Sequence, residues 1–251
     1  MKMKDIYKIA ISIPSQGITP VEAYDNHLIN AFNLGKLQTR WKLKKRKPRY
    51  EFYWFTVGRL LTPMAREKLV EQALKDNVDY IIMYDDDMLL PSDMIEKMIL
   101  DFEKHPEIDI LAPLAFMRGQ PNFPVIYITD KGWDNTLHQE YFVTRFVKDY
   151  PKDKLSECDA VGFGAVMIKM DIIRKMKPYY FFSTTGSGED IYFCIKAKDE
   201  ADARIFVDTR IKLGHLSSPL IIDEEYWEKF QKDKHLKEDL GKPAVYLSYK
   251  K

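Results

Sequence analysis

Three consecutive carboxylates, Asp85, Asp86 and Asp87, follow an apolar segment that spans residues 80–84. Pro91, shortly after them, is typical of a helix start. Adjacent acids repel one another, and enclosing them is costly unless a positive charge compensates. A divalent cation is one such compensation, so the segment indicates a metal site. An acidic surface turn accounts for the same residues equally well, because Asp favours turns and helix N-termini.

A second acidic pair, Glu189 and Asp190, stands at the start of a predicted helix that runs to Ala197. Acids in a first helical turn are favoured by about 0.3–1 kcal/mol without any catalytic role. Ser187, three residues before Asp190, adds the spacing of a capping box. The same position would keep a carboxylate ionised at neutral pH, as a general base requires. The pair therefore predicts either a capped helix start or a base for a substrate hydroxyl.

His215 follows Gly214 at the end of an apolar segment that begins near Arg204. A lone histidine is more often structural than a ligand. Together with carboxylates and the oxygens of a diphosphate, however, one imidazole would complete a mostly oxygen ligand set that suits Mn²⁺ or Mg²⁺. The remaining histidines have no comparable setting and receive no role: His27, His105, His138 and His235.

The composition excludes some classes of function. With 39 basic and 38 acidic residues the net charge is +1, so no global field favours nucleic acid as a partner. Two cysteines, Cys158 and Cys194, indicate a reducing compartment rather than a disulfide framework. No apolar segment approaches the length of a membrane span, and the N-terminus lacks the apolar core of a signal peptide. These features predict a soluble cytoplasmic protein.

Strand-like and helix-like segments alternate in the first half of the chain. This order predicts a largely parallel sheet, with ligands beyond the carboxyl ends of its strands. Thr62 as N-cap and Pro63 as first helical residue predict one helix start, and Pro91 predicts another. The predicted strands are residues 7–13, 50–57, 80–84, 108–114, 125–129 and 161–169, and a helix is predicted over 21–34.

Three further segments carry predictions. Residues 40–49 hold seven basic side chains and no acid, which predicts a solvated loop or, alternatively, a contact with phosphates or an anionic acceptor. Residues 131–151 predict a hairpin or a lid. In the strand predicted over 161–169, Gly162 and Gly164 would let a ligand approach the backbone closely. Residues 221–251 predict a charged helical and strand extension, packed on a domain of residues 1–220.

Taken in chain order, these motifs resemble a glycosyltransferase of the GT-A fold, similar to the family-2-like nucleotide-sugar enzymes. The residues that carry the resemblance are Ile13-Pro14, Asp85-x-Asp87, the segment 164–168, Gly188-Glu189-Asp190 and Gly214-His215. The match covers residues 6–216, and the combined order is more specific than any single motif. It implies an α/β, Rossmann-like fold: a mostly parallel central sheet flanked by helices, with a small additional sheet and a charged C-terminal helical tail.

The resemblance also implies roles for individual residues. Asp87 and His215 would bind the metal, Mn²⁺ or Mg²⁺, against the donor diphosphate, while Asp85 contacts the ribose or reaches the metal through water. Asp190 would be the acceptor-side base, with Glu189 beside it to position substrate. The residues expected on the donor nucleotide are Pro14, Ser15, Arg66, Asp85 and Asp86.

Two arginines have weaker assignments. Arg66 resembles the family's arginine after the second loop, although an ordinary arginine on a helix surface fits the pattern as well. Arg118, on the loop after a predicted strand, is a candidate for contact with phosphate or acceptor. The chain departs from the family at residues 56–59, Thr-Val-Gly-Arg, where an acidic Asp-Asp-Gly-Ser-like turn is usual. The identity of the base is therefore left open.

The function predicted from these residues is metal-dependent transfer of a hexose from a nucleotide-sugar donor, with a UDP-sugar expected, to a hydroxyl of a glycan or other acceptor. Attack from the side opposite the leaving group would invert the anomeric centre, and retention stays open. One alternative is a nucleotidyltransferase, which usually has a glycine-rich, basic loop after the first strand; residues 14–17 lack the basic side chain. Another is a non-catalytic glycan- or metal-binding module of the same fold.

Overall fold

The computed structural model describes residues 4–17, 19–134, 139–183, 188–217, 220–232 and 244–247. The helices are α1 (Val21–Leu43), α2 (Thr62–Lys75), α3 (Met94–Lys104), α4 (Met170–Lys175), α5 (Glu189–Ala201) and α6 (Glu224–Lys232). The strands are β1 (Ile6–Ser15), β2 (Arg49–Gly58), β3 (Tyr80–Tyr84), β4 (Met88–Leu89), β5 (Ile110–Leu114), β6 (Ile126–Asp134), β7 (Gln139–Phe146), β8 (Leu155–Cys158), β9 (Ala160–Val161), β10 (Ala165–Lys169), β11 (Ile205–Lys212), β12 (Gly214–Ser217), β13 (Leu220–Ile222) and β14 (Ala244–Leu247).

The central sheet has the strand order β2-β1-β3-β10-β5-β11-β8. Strands β1, β2 and β3 are parallel, as are β5 and β11, while β10 and β8 run antiparallel to their neighbours. Two smaller sheets, β13-β12-β4 and β14-β7-β6-β9, accompany it. This architecture confirms the predicted fold class: a mostly parallel sheet flanked by helices, with additional small sheets.

Alternation along the strands divides the core between the two faces of the sheet. In β1, Ile9 and Ile11 belong to the cluster that contains the buried sides of α1 and α3, whereas Ala10 belongs to the cluster that contains α2, α4 and α5. Successive side chains of a strand point to opposite faces. Both faces are therefore covered, which explains why strands such as β3 read as uninterrupted apolar runs.

Helix α1 is longer than predicted, and the solvated loop predicted over residues 40–49 is wrong for its first part. The helix continues to Leu43 because Leu37 and Trp41 extend its buried stripe onto the sheet. Arg40 and Arg46 form ion pairs with Glu96 and Glu103 of the neighbouring segment α3. Two of the seven basic side chains are thus held by acids of α3, while the helix up to Leu43 is held by its packing on the sheet.

Other predicted boundaries also shift. The N-cap of α2 is Leu61, and Thr62 is already helical, with its hydroxyl accepting a hydrogen bond from Gln16 Nε2 at 3.3 Å. Helix α3 begins at Met94 rather than at Pro91. The hairpin predicted within 131–151 is confirmed by the pairing of β6 with β7.

The single strand predicted over residues 161–169 is in fact two strands in different sheets, β9 and β10. Gly162 lies at the crossing, where a Cβ atom would come within 2.7 Å of the Val125 Cβ. Non-bonded carbon atoms do not approach each other this closely. Position 162 must therefore be glycine for the backbone to pass Val125. The apolar sequence of residues 161–169 is typical of a single strand, but the chain passes from one sheet to another after Val161, and Gly162 occupies the crowded crossing.

The C-terminal part is tied to the rest by both an aromatic contact and a strand. Trp227 of α6 is buried with its ring 5.7 Å from each of the rings of Phe116 and Phe123. Strand β14 pairs with β7. The division at residue 220 stays a prediction. Among the residues that the structure describes, no helix combines the length and the apolar composition of a membrane span.

A buried carboxylate pair joins α3 to β11. Asp101 and Asp208 are 4% and 1% exposed, and both accept hydrogen bonds from Arg210. The second oxygen of Asp101 is buried with no partner in the described part of the chain. Burial, with the neighbouring Asp208 adding to it, raises the pKa of Asp101 from 3.8 to about 6. The ionised form of Asp101 therefore destabilises the fold.

We expect Asp101→Asn to raise the melting temperature at pH 7.5 by roughly 2–4 °C, the shift that about 1 kcal/mol produces in a protein of this size. The reason is that the folded pKa of Asp101 is above its unfolded value, so the cost of ionisation grows as the pH rises from about 4 to 6 and is fully present above that range. At about pH 3.5, below the unfolded pKa, the variant and the wild type should melt nearly together. Equal destabilisation at both pH values in a calorimetric scan would instead show that the Asp101–Arg210 ion pair dominates.

Candidate functional site

The predicted acidic residues lie at the carboxyl end of β3, and a small antiparallel pairing brings His215 to them. In that pairing Gly214 lies opposite Leu89 and His215 lies opposite Met88. The backbone N–H of Leu216 also donates to the carbonyl of Asp87 at 3.0 Å. Two residues that are 128 positions apart in the sequence, Asp87 and His215, are thereby fixed side by side.

The His215 ring is oriented for a ligand on its Nε2 atom. Nδ1 lies 2.8 Å from the carbonyl oxygen of Phe116, so Nδ1 carries the proton and Nε2 carries the lone pair of the neutral ring. Nε2 is 3.4 Å from Asp87 Oδ2. Burial opposes the imidazolium form of His215, but its contact with Asp87 outweighs burial and raises its pKa.

Asp87 also accepts a hydrogen bond from Arg118 Nη1 at 2.7 Å. Burial on its own would raise the pKa of Asp87, but His215 and Arg118 together bring it below the ordinary value. A carboxylate beside an imidazole nitrogen suits Mn²⁺ or Mg²⁺ when most other ligands are oxygens. In the described ranges no three His, Cys, Asp or Glu side chains cluster closely enough to hold a metal. A cation at Asp87 and His215 would therefore need substrate oxygens or water to complete its coordination.

Asp85 turns away from this pair toward Arg66. The guanidinium of Arg66 donates to Asp85 Oδ1 at 2.7 Å, to Glu189 Oε1, and to the carbonyl of Phe163 at 3.0 Å. Enclosure raises the pKa of Asp85 to about 6; Arg66 acts against this, and the charges of Asp87 and Glu189 add to it. The structure thus places Asp85 in an ion-pair network and not beside His215.

Arg66 itself is 2% exposed, so its interpretation as an ordinary surface arginine is wrong. Its Nη atoms are directed to two carboxylates and a carbonyl, and its guanidinium lies 5.4 Å from the centre of the Phe163 ring. Its nucleotide contact stays a prediction. What the geometry supports directly is a role in joining α2, the end of β3 and the start of α5.

Asp190 lies at the start of α5 and faces the same cavity as Arg66 and His215. Its Oδ1 accepts the backbone N–H of Ile191 at 2.8 Å. Burial raises the pKa of Asp190 and the charge of Glu189 raises it further, against Arg66. From its position at a helix start, this carboxyl was expected to have a low pKa. Burial and Glu189 instead raise its pKa. The N-cap of α5 is Gly188, and Ser187 of the predicted capping box lies outside the described residues.

Of the residues predicted on the nucleotide, Pro14, Ser15 and Asp86 form a separate group at the end of β1, whereas Arg66 and Asp85 line the cavity. Asp86 is 9% exposed and accepts hydrogen bonds from Ser15 Oγ at 2.6 Å and from the Gln16 N–H at 3.2 Å. Asp86 thus fixes the loop after Pro14 rather than facing the cavity. Arg59, at a φ of +63°, packs beside Gly17 of this loop. It places a cation in the segment 56–59, where the sequence has no acidic turn.

The cavity has a volume of about 510 Å³, within the usual range of ligand sites. The charged part of its lining consists of Arg66, Asp85, Glu189, Asp190 and His215. The apolar part is formed by Phe116, Val125, Tyr127, Phe146 and Phe163.

The sequence analysis did not predict that the β6–β7 hairpin contributes to the apolar part of the cavity lining. Thr144 lines the cavity, is 4% exposed, and its Oγ1 atom has no hydrogen-bond partner within the described part of the chain. Tyr127 and Phe146 come from the same hairpin. The aromatic residues of this segment could have indicated a ligand-facing surface. The sequence pattern, however, does not predict which faces of the two strands point to the carboxylates.

Replacing Arg66 by Met should cost about 3–5 kcal/mol of unfolding free energy, because Asp85 and Glu189 lose the buried cation that compensates them. The loss should be smaller at about pH 5.5 than at about pH 8, since protonation of either carboxyl relieves the repulsion. Urea unfolding measures both. Lys68→Met on the same helix is the control: Lys68 is exposed and, among the residues that the structure describes, forms an ion pair with Glu71 alone, so a change within about 0.5 kcal/mol is expected. Equal effects of the two substitutions would contradict the assigned role.

Comparison with protein-family models and with curated protein sequences finds no match for this chain. Solved structures are similar to it at low sequence identity. A197 from STIV is 17% identical, with a TM-score of 0.56 over 87% of this chain and 91% of that one. UDP-glucose pyrophosphorylase complexed with UDP-glucose is 10% identical, with a TM-score of 0.47 over 90% and 97%. The catalytic domain of Drosophila beta1,4galactosyltransferase 7 is 14% identical, with a TM-score of 0.42 over 80% and 65%. At 17% identity the likeness to A197 from STIV concerns the fold alone.

Proposed function

We propose that this protein is a metal-dependent glycosyltransferase that moves a hexose from a nucleotide-sugar donor, with UDP as the expected nucleotide, to the hydroxyl of a glycan or other acceptor. The observation that carries the proposal is the convergence of His215, which contacts Asp87, with Asp190 around one cavity at the carboxyl ends of the parallel strands. In sheets of this kind ligands bind at that edge.

The donor side of the proposal rests on Asp87 and His215. These two side chains would hold Mn²⁺ or Mg²⁺, and the metal, when bound, supplies charge that stabilises the departing nucleoside diphosphate. The Phe116 carbonyl keeps the Nε2 atom of His215 directed to that position. Arg118 is 59% exposed in its side chain, and it can move from Asp87 to a phosphate oxygen.

The nucleotide itself would bind along the end of β1. Pro14 and Ser15 form that edge, held by Asp86 from beneath. Asp85, about a third of whose side chain is exposed, is available to a ribose hydroxyl through its second oxygen. These contacts extend the donor from the β1 loop toward His215.

The acceptor side rests on Asp190. A carboxyl whose pKa is raised is a stronger base once it is ionised, which suits removal of a proton from an attacking hydroxyl. Glu189 is held by Arg66 and also lies near the Ser183 hydroxyl, so it positions rather than accepts the proton. Attack on the anomeric carbon from the side of Asp190, with the diphosphate leaving opposite, inverts the configuration.

The first test is binding of the donor. A UDP-sugar at 100 times its Kd should stabilise the protein by about 2.7 kcal/mol, or roughly 5–10 °C in melting temperature for this chain length. The shift should require Mn²⁺ or Mg²⁺ and should be lost in His215→Ala and in Asp87→Asn. His105→Ala is the matched control, because His105 is a partly exposed histidine that caps the end of α3. A shift that is independent of metal, or that survives both substitutions, would remove the metal from the donor site.

The second test is catalysis. Asp190→Asn should lower the rate of sugar transfer by about 10²–10⁴-fold, the usual contribution of a general base, while the metal-dependent thermal shift with donor stays. Asp199→Asn, at an exposed position of the same helix, should leave the rate unchanged. Transfer that persists in Asp190→Asn would exclude Asp190 as the base. Release of pyrophosphate from a nucleoside triphosphate in place of sugar transfer would indicate a nucleotidyltransferase.

A further inference from the structure

The outer face of α1 exposes a row of large apolar side chains. Phe32 is 67% exposed and Leu43 79%, and the others are between 57% and 71% exposed. From Val21 to Phe32 their positions fall on one side of the helix, opposite the buried Leu34 and Trp41, and Leu43 follows eleven residues later on the same side. Members of this row are Val21, Tyr24, Leu28, Ile29, Phe32 and Leu43. Single exposed apolar residues are ordinary, but a contiguous row marks an interaction surface.

The same face contains a hollow next to a projection. Gly35 is exposed, and a Cβ atom added to it would meet nothing within 4 Å. The groove at this point is lined by Ala31, Phe32, Gly35, Lys36, Thr39, Arg40, Leu43 and Lys44. The ring of Phe32 borders the groove, and the Lys36 ammonium lies 4.5 Å from the centre of that ring. A ring and a space that accepts a ring thus lie side by side on one helix.

Charge is distributed unevenly along this face. Glu22 and Asp25 are exposed in the first two turns of α1, while Lys42 and Lys44 are exposed at its end. In the described part of the chain none of these four side chains forms an ion pair with another residue. The two ends of the helix surface are therefore complementary to each other, a pattern that an antiparallel copy of the same helix satisfies.

We propose that this face of α1 binds a second copy of the chain, with the two α1 helices antiparallel about a two-fold axis. Phe32 of each copy then enters the groove beside Gly35 of the other. The same register places Glu22 and Asp25 opposite Lys44 and Lys42 of the partner. Because one patch meets itself, both contacts occur twice, as an isologous interface requires.

The charge pattern favours a second copy over an anionic membrane surface. A helix that lies on anionic lipid carries basic residues along its polar face. Here Glu22 and Asp25 lie beside Val21 and Tyr24, so the acidic end would be repelled. The inner face of α1 stays with its own chain, where His27 and Asn26 bond to the Met88 and Leu90 carbonyls.

Light scattering over a concentration series tests the interface. The wild-type chain should show the mass of a dimer, and Phe32→Glu should show that of a monomer that still unfolds cooperatively, at a melting temperature that no longer depends on protein concentration. Gly35→Leu should also be monomeric, because it fills the groove while helix propensity rises. Leu61→Glu is the control, since Leu61 is 71% exposed but lies outside α1. A monomeric wild type at every concentration, or a dimer that both α1 substitutions leave intact, would overturn the proposal.

Cross-linking tests the orientation. With a short bismaleimide, the double variant Glu22→Cys and Lys44→Cys should give a covalent dimer, because the two positions face each other across the interface. Glu22→Cys alone should not. The native thiols, Cys158 and Cys194, are buried and serve as the unreactive background. Cross-linking of the single variant would contradict the antiparallel arrangement, and flotation of a wild-type monomer with anionic vesicles would assign the face to a membrane instead.

Discussion

The buried guanidinium of Arg66 is the interaction on which the candidate site depends. The sheet gathers Asp85 at its edge, and the start of α5 adds Glu189 and Asp190, so several negative charges are enclosed together. Arg66 neutralises two of them directly and also binds the carbonyl of Phe163. Without a cation at this point the helix start and the strand end would repel each other. The charge balance of the site is therefore also what holds three elements in place.

The three consecutive aspartates have three different structural roles. Asp85 faces Arg66, Asp86 fixes the β1 loop, and Asp87 meets His215 and Arg118. This division follows from the tight turn between β3 and β4, in which the Met88 N–H donates to the Asp85 carbonyl and successive side chains diverge. A motif that reads as one acidic cluster thus supplies contacts to three separate partners.

Helix α1 combines two surfaces with opposite requirements. Its inner face holds Asn26, His27 and Asn30, which satisfy the carbonyls of the segment just after the aspartates. Its outer face carries apolar side chains that the chain itself does not cover. The helix therefore connects the position of the acidic turn to the surface through which copies of the chain are proposed to associate.

The sequence by itself determined the α/β alternation, the position of the acidic turn after β3 and the start of α5, because apolar periodicity and acid placement are local properties. Tertiary structure alone decided which charges meet. Asp87 reaches His215 only through the β4–β12 pairing, and Arg66 is buried only because α2 packs against the end of β3 and the start of α5. The break at Gly162 and the extension of α1 past Leu34 likewise depend on contacts with Val125 and α3, which are distant in the sequence. Local patterns carry no information on such long-range partners, so they fix the residues of the site but not their pairing.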